Sequence, residues 1–305
     1  MGWMRRSLNV VGLFGLGISL LACALHMSNS GTASPVTKPE GALRIASYNV
    51  HYILLGQASG AWSVDDWDRR KAPLDDAFKA VGADVIAFQE MESFARGDNG
   101  SVNLTLDYVL AQNPDYAAAA VGDYRVFPST QPILYRKAAM RLMDQGWFFF
   151  SDTPDVIYSR TFNGSFPAFA SWAKFAPQTG GPEFYVYNVH FEYKSRANRS
   201  RSAQLVRARM APVIAAGAPV FLVGDLNNRA GAGPVAHLEE GGLRFAPVAG
   251  STYHFNRGLS LFGAIDHLGS TANLKRAAGP YVLRQKFRGE WPTDHYPVFA
   301  DYLLP

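Results

Sequence analysis

From residue 42 onward the chain is built of short apolar or alternating runs, most of which close on a polar residue. Leu43-Arg44-Ile45-Ala46-Ser47-Tyr48-Asn49 alternates with β-favouring residues and stops at Asn49. Asp84-Val85-Ile86-Ala87-Phe88-Gln89-Glu90 reads as a buried strand ending at Glu90, and Phe184-Tyr185-Val186-Tyr187-Asn188-Val189-His190 as one ending at His190. Val220-Phe221-Leu222-Val223 is apolar throughout, which suits a strand covered on both faces. Gly224, free to adopt unusual backbone angles, then leads into Asp225 and Asn227. Further strands are expected at Ile133–Arg136, Gly146–Phe150, Ala168–Phe175, Gly263–Leu268 and Tyr296–Leu304. Helical spacing appears over residues 68–81, 104–112 and 195–216, the last divided at Pro212. Strands outnumber the helices inserted between them. The pattern predicts an α/β (α+β) domain, a four-layer sandwich of two packed mixed sheets flanked by helices.

The N-terminus follows a different pattern. Arg5 and Arg6 precede a run from Leu8 to Ala22 that is apolar apart from Asn9 and Ser19 and ends at Cys23, the only cysteine. A basic start, an apolar middle and a small residue before the cut describe an export signal over residues 1–22. The segment is similar to a bacterial lipoprotein signal, which implies lipid on Cys23 and a cell-envelope membrane as location, with secretion or an uncleaved anchor as alternatives. Residues 23–41, rich in Ser, Thr, Gly and Pro, read as a flexible tether, and 42–305 as one domain. A single cysteine leaves that domain without an internal disulfide. The balance of Lys+Arg 29 against Asp+Glu 25 permits an anionic substrate but does not by itself indicate nucleic acid.

Polar residues at strand ends supply the candidate chemistry, because strand ends in layered α/β architectures share a rim where sites are built. Asp225 and Asn227 can polarise one water, or form an ordinary Asx turn. Asn49, Glu90 and Asp294 offer oxygen donors suited to a hard cation such as Mg²⁺, with Mn²⁺ an alternative. The histidines lack the spacing or cysteines of a zinc cage. Asp266 is placed to orient one histidine.

Seven short motifs then run in order: Ser47-Tyr48-Asn49-Val50, Gln89-Glu90, Ile133-Leu134-Tyr135-Arg136, Asn188-Val189-His190, Gly224-Asp225-Leu226-Asn227, Ile265-Asp266-His267 and Thr293-Asp294-His295-Tyr296-Pro297-Val298. This order resembles the endonuclease/exonuclease/phosphatase superfamily across residues 42–305. The resemblance implies a metal-dependent hydrolase of phosphoesters. Asn49, Glu90 and Asp294 would surround the metal. Asp225 would orient and deprotonate the attacking water, with Asn227 steadying it. His190, and His295 oriented by Asp266, would contact the phosphoryl group, Arg199 would touch substrate, and Tyr135 would either touch phosphate or pack in the core. The glutamate that deoxyribonuclease I-like nucleases pair with the first histidine has no counterpart around residues 168–175. An endonuclease-like phosphodiesterase leads the substrate expectations, ahead of a sphingomyelinase or phospholipase C-like enzyme and an inositol-phosphate phosphatase. A binding lipoprotein keeping the fold is the non-enzymatic alternative. The expected partners are a nucleic acid, phospholipid or small phosphate ester and the membrane, with the protein itself a monomer.

Overall fold

A computed structural model describes residues 17–31, 36–94, 102–231 and 233–305. Its strands are β1 (Leu43–Asn49), β2 (Ile53–Leu54), β3 (Val85–Gln89), β4 (Ser93–Phe94), β5 (Tyr116–Ala119), β6 (Ile133–Arg136) and β7 (Met140–Phe149), followed by β8 (Phe169–Pro177), β9 (Phe184–His190), β10 (Val220–Asp225), β11 (Leu243–Phe245), β12 (Asp266–Thr271), β13 (Lys275–Val282) and β14 (Val298–Leu303). Four helices lie between them: α1 (Val64–Val81), α2 (Leu104–Gln112), α3 (Arg196–Ala215) and α4 (Gly233–Glu240).

The strands form two mixed sheets, β13-β14-β1-β3-β6-β5 and β11-β12-β10-β9-β8-β7, beside a small β2-β4 pair. Period-2 geometry explains how they stack. Phe221 and Val223 of β10 face Ile45, Val85, Phe184 and Val186 in the core between the sheets. Val220 and Leu222, pointing the other way, meet Val206 and Met210 of α3. On the far side Tyr48, Ile86 and Phe88 meet Phe78 of α1 and Val109 of α2. The expected four layers result. β1 runs parallel to β3 and β9 parallel to β10, so Asn49, Glu90, His190 and Asp225 all emerge at the same edge of the sandwich.

Several local expectations change. Helix α1 begins at Val64, four residues earlier than its periodicity suggests, because the Ser63 hydroxyl caps it by accepting from the Asp66 amide. Pro212 lies in the last turn of α3 and does not divide it. Export-signal residues 1–16 lie outside the described residues; residues 17–29 are helical. Among the described residues no helix is long and apolar enough to cross a membrane. Within the expected tether, residues 23–41, His26, Asn29, Val36 and Lys38 touch the domain. The His26 ring accepts from the Ser260 amide at 3.0 Å and the Asn29 carbonyl from the Ser251 amide at 2.8 Å. Lys38 donates to both oxygens of Asp84, and the Val36 carbonyl accepts from Arg44. Ser, Gly and Pro remove regular structure, but they leave backbone groups that a neighbouring surface can bind.

Candidate active site

The site begins with backbone geometry. Gly224 has φ +146, and a Cβ there would sit 1.9 Å from the Val189 carbonyl oxygen on β9. Only glycine allows that approach, which brings Asp225 alongside His190, its register partner. Glu90 and Asn227 follow their strands in left-handed conformations, at φ 55 and 46. Such backbone costs about 1–2 kcal/mol per non-glycine residue and persists where surroundings over-determine it. Beneath the rim, a polar bridge ties the sheets together: Ser47 donates to Gln89, Gln89 to Asn188, and Asn188 to the Phe88 and Gln131 carbonyls.

Above this floor, Asp225 is the hub. Its Oδ1 accepts from the Asn227 amide at 2.8 Å, so the Asx turn is present. Its Oδ2 accepts from Asn49 Nδ2 at 3.3 Å and lies 3.8 Å from Nε2 of both His190 and His295. Turn and site are therefore the same carboxylate, one oxygen serving each. His295 Nδ1 meets Asp266 Oδ2 at 2.9 Å, the orienting contact expected of Asp266. The Thr252 hydroxyl fixes that carboxylate's strand by accepting from the Ile265 and Asp266 amides. Asn49 Nδ2 also donates to Glu90 Oε1 at 3.0 Å, and His190 Nε2 lies 3.6 Å from the same oxygen.

Electrostatics separate the carboxyls. Burial and then Asp266 push Asp225 up to about 6, against the pull of His295 and His190. Burial also opposes ionisation of Glu90, but His190, His51 and the Asn49 amide outweigh it and hold the group below its usual range. For His295 burial opposes the charge, yet Asp266, Asp225 and Asp294 prevail and raise it to about 10. The site thus holds an ionised glutamate, a charged histidine and an aspartate poised to change protonation near neutrality.

The donor set fits a divalent cation. Glu90, Asp225, Asp266 and Asp294 converge on two histidines and Arg70, and Asp266 Oδ1 is buried with no hydrogen-bond partner among the described residues. The ligand atoms of Asp225, Asp266 and His295 lie within 4.8 Å of one another, which could hold a metal ion. That trio differs from the expected Asn49, Glu90 and Asp294. Its imidazole is already held by Asp266, while Glu90 and Asp294 offer carboxylate oxygens of the kind that would suit a hard cation. Asn49 turns its amide nitrogen toward the carboxylates and its oxygen to the His51 amide, so here it cross-links Glu90 and Asp225.

The structure places three expected site residues on backbone or core contacts. Asn227 Nδ2 donates to the Phe191 carbonyl and so helps to hold the turn. Tyr135 pairs with Val85, at the opposite end of β3 from Glu90, and packs on Phe175. Arg199 donates to the Glu192 and Tyr193 carbonyls and braces the loop after His190.

Arg70 was not visible as a site residue in the sequence. Buried between Trp62 and Trp67, it donates to the Val50 and Pro292 carbonyls, thereby joining the segment after Asn49 to the one before Asp294. An arginine inside a helical period looks like a solvated face; its burial beside two tryptophans emerges only in three dimensions. Tyr253 was also missed. Its ring lies 5.0 Å from that of His295.

The family model described as Endonuclease/Exonuclease/phosphatase family matches residues 46–295. The chain belongs to that family. Among solved structures, a family protein from Bacteroides thetaiotaomicron is 22% identical, with 88% of this chain and 100% of that one covered at a TM-score of 0.71. A mannosyl-6-phosphatase of Bacteroides thetaiotaomicron is likewise 22% identical, covering 85% and 99% at 0.69. The human Nocturnin catalytic domain is 13% identical, covering 87% and 96% at 0.60. At these identities the likeness shows the fold. No curated protein matches.

Proposed function

We propose that the chain is a divalent-metal-dependent phosphoester hydrolase that attacks phosphorus in line with a water held at Asp225. Family membership supports the reaction class, and the observation that carries the assignment is Asp225 Oδ2, 3.8 Å from each of two histidines. In this reading Asp225 accepts the water proton. The raised affinity of its buried carboxyl suits a base working near neutrality. Charged His295, oriented by Asp266, stabilises charge developing on the phosphoryl oxygens or protonates the leaving group. His190 faces the same space from β9. A Mg²⁺ or Mn²⁺ held by Glu90 and Asp294 would supply Lewis-acid stabilisation of the phosphoryl oxygens.

The basic helix after His190 does not single out a nucleic acid. Arg201, Arg207 and Arg209 of α3 pair with Asp152, Glu240 and Asp155 at 2.6–2.7 Å, so their charges are matched within the fold. A small or amphiphilic phosphoester therefore fits better than a nucleic-acid backbone. Export and membrane attachment through the N-terminus belong to the same proposal and rest on the basic-apolar pattern ending at Cys23.

A substrate panel with Mg²⁺, Mn²⁺ or EDTA tests the reading: bis(4-nitrophenyl) phosphate, sugar phosphates, inositol phosphates, sphingomyelin, RNA and plasmid DNA. Metal-dependent hydrolysis of at least one ester is expected. Hydrolysis indifferent to EDTA would contradict the mechanism.

A further inference from the structure

Resting on the phosphoesterase reading, we propose that the loop 253–262 and the helical segment from Cys23 onward form one bilayer-docking face, which presents the catalytic rim to a phosphoester carried in the membrane. The helix supplies the first observation. Beyond the export signal of residues 1–22, Leu25 and Met27 are exposed, Met27 by 78%. No charged residue occurs between Arg6 and Lys38. An uncharged segment that starts at Cys23, the proposed lipid site, would lie against a bilayer surface.

The second observation is how this helix joins the domain. The His26 ring accepts from the Ser260 amide, and the Asn29 carbonyl from the Ser251 amide. Gly250 allows the close approach: a Cβ there would lie 2.3 Å from the Asn29 oxygen. Arg284 braces the same corner by donating to the Ser251 and Ala249 carbonyls. The helix is thus fixed to the loop that carries the site's wall.

The third observation is that wall. His295 lies 5.0 Å from Tyr253, Tyr253 4.6 Å from Phe255, and Phe255 5.5 Å from Phe262, between ring centroids. The series ends at an exposed Phe262, next to exposed Leu259 and on either side of Ser260, the residue bonded to His26. Phe255 and Asn256 hold the bend with left-handed backbones, at φ 59 and 53. An unbroken aromatic track therefore runs from the foot of the apolar helix to the imidazole facing Asp225. Aromatic rings suit the boundary between headgroups and acyl chains, and the track gives the apolar part of an amphiphile a surface while its phosphate reaches His295.

Hydrogen exchange on the full chain, with and without vesicles of phosphatidylethanolamine and phosphatidylglycerol, decides the docking face without reference to turnover. Protection of residues 253–262 on vesicle addition is expected. Unchanged exchange, or protection that follows protein concentration without vesicles, would overturn the proposal, the latter in favour of a second copy of the chain. A paired Leu259→Ser and Phe262→Ser variant should bind these vesicles roughly tenfold more weakly. It should lose a similar factor in hydrolysis of a long-chain alkyl 4-nitrophenyl phosphodiester embedded in them, with bis(4-nitrophenyl) phosphate unaffected. Equal loss on both esters would place these residues in the chemistry and sink the docking role. If the unaltered chain hydrolyses neither ester with Mg²⁺ or Mn²⁺, the phosphoesterase reading fails, while exchange still decides the bilayer face.

Discussion

The two ends of the sandwich both bury charge, but they balance it differently. At the end where β1 and β3 begin, Arg44 donates from Nε and Nη2 to the two oxygens of Asp301, and its remaining donors reach the Val81 and Val36 carbonyls. Asp84 there receives Lys38 on both oxygens and the Arg44 amide on one. Cations and carboxylates match, and geometry satisfies them. At the opposite rim, four carboxylates gather around histidines, one arginine and an asparagine, and one oxygen of Asp266 has no partner among the described residues. Completed ion pairs hold a fold together; an incomplete set, which costs stability to assemble, leaves attraction for a metal and a reacting phosphate.

If that contrast is right, changes at the rim should cost turnover and changes at the other end should cost stability. Asp225→Asn should lower turnover about 10³-fold, near 4 kcal/mol of barrier, without lowering the urea midpoint. A drop in both would mean that the rim is structural. Asp301→Ala strands a buried guanidinium and should cost about 3 kcal/mol in urea unfolding, while the folded fraction keeps its kcat.

Protonation sharpens the comparison. In the metal-free protein Asp225 should titrate near 6, above its ordinary 3.8, by carboxyl-region NMR. Because its folded-state value is raised, its contribution to stability is complete below about pH 4 and is lost as pH rises through about 6. Activity should run the other way, falling about tenfold per pH unit below that limb. The smallest effect belongs to Arg70, a positioning residue. Arg70→Lys should reduce kcat/KM about fivefold, since an ammonium cannot span the Val50 and Pro292 carbonyls as the planar fork does. An effect on KM alone would argue against its holding the metal-side loops.

The strand-end polar residues were legible because burial forces β10 to be apolar and lets Asp225 appear only where the strand leaves the core. The strands β2, β4, β5, β11 and β13 and the helix α4 were not anticipated. The first two are only two residues long and, like Ala117–Ala119 in β5, offer no alternating pattern. That Asn227 also ties the turn to the Phe191 carbonyl depends on a distance the sequence does not carry. Tyr135 could be read either as a phosphate contact or as core, because a motif does not reveal strand direction: β6 is antiparallel to β3, so its C-terminal end lies away from the rim.

By itself, then, the sequence determined the layers, the family and the residues bearing the chemistry. These follow from periodicity and side-chain type, which are local properties. Tertiary structure decided which oxygen of Asp225 is free for the site, how neighbours split the carboxyl affinities, that Arg70 joins two loops, and that the aromatic track from His295 meets the apolar helix. Each depends on groups far apart in the chain approaching within a few ångströms, where distance and burial set the energy.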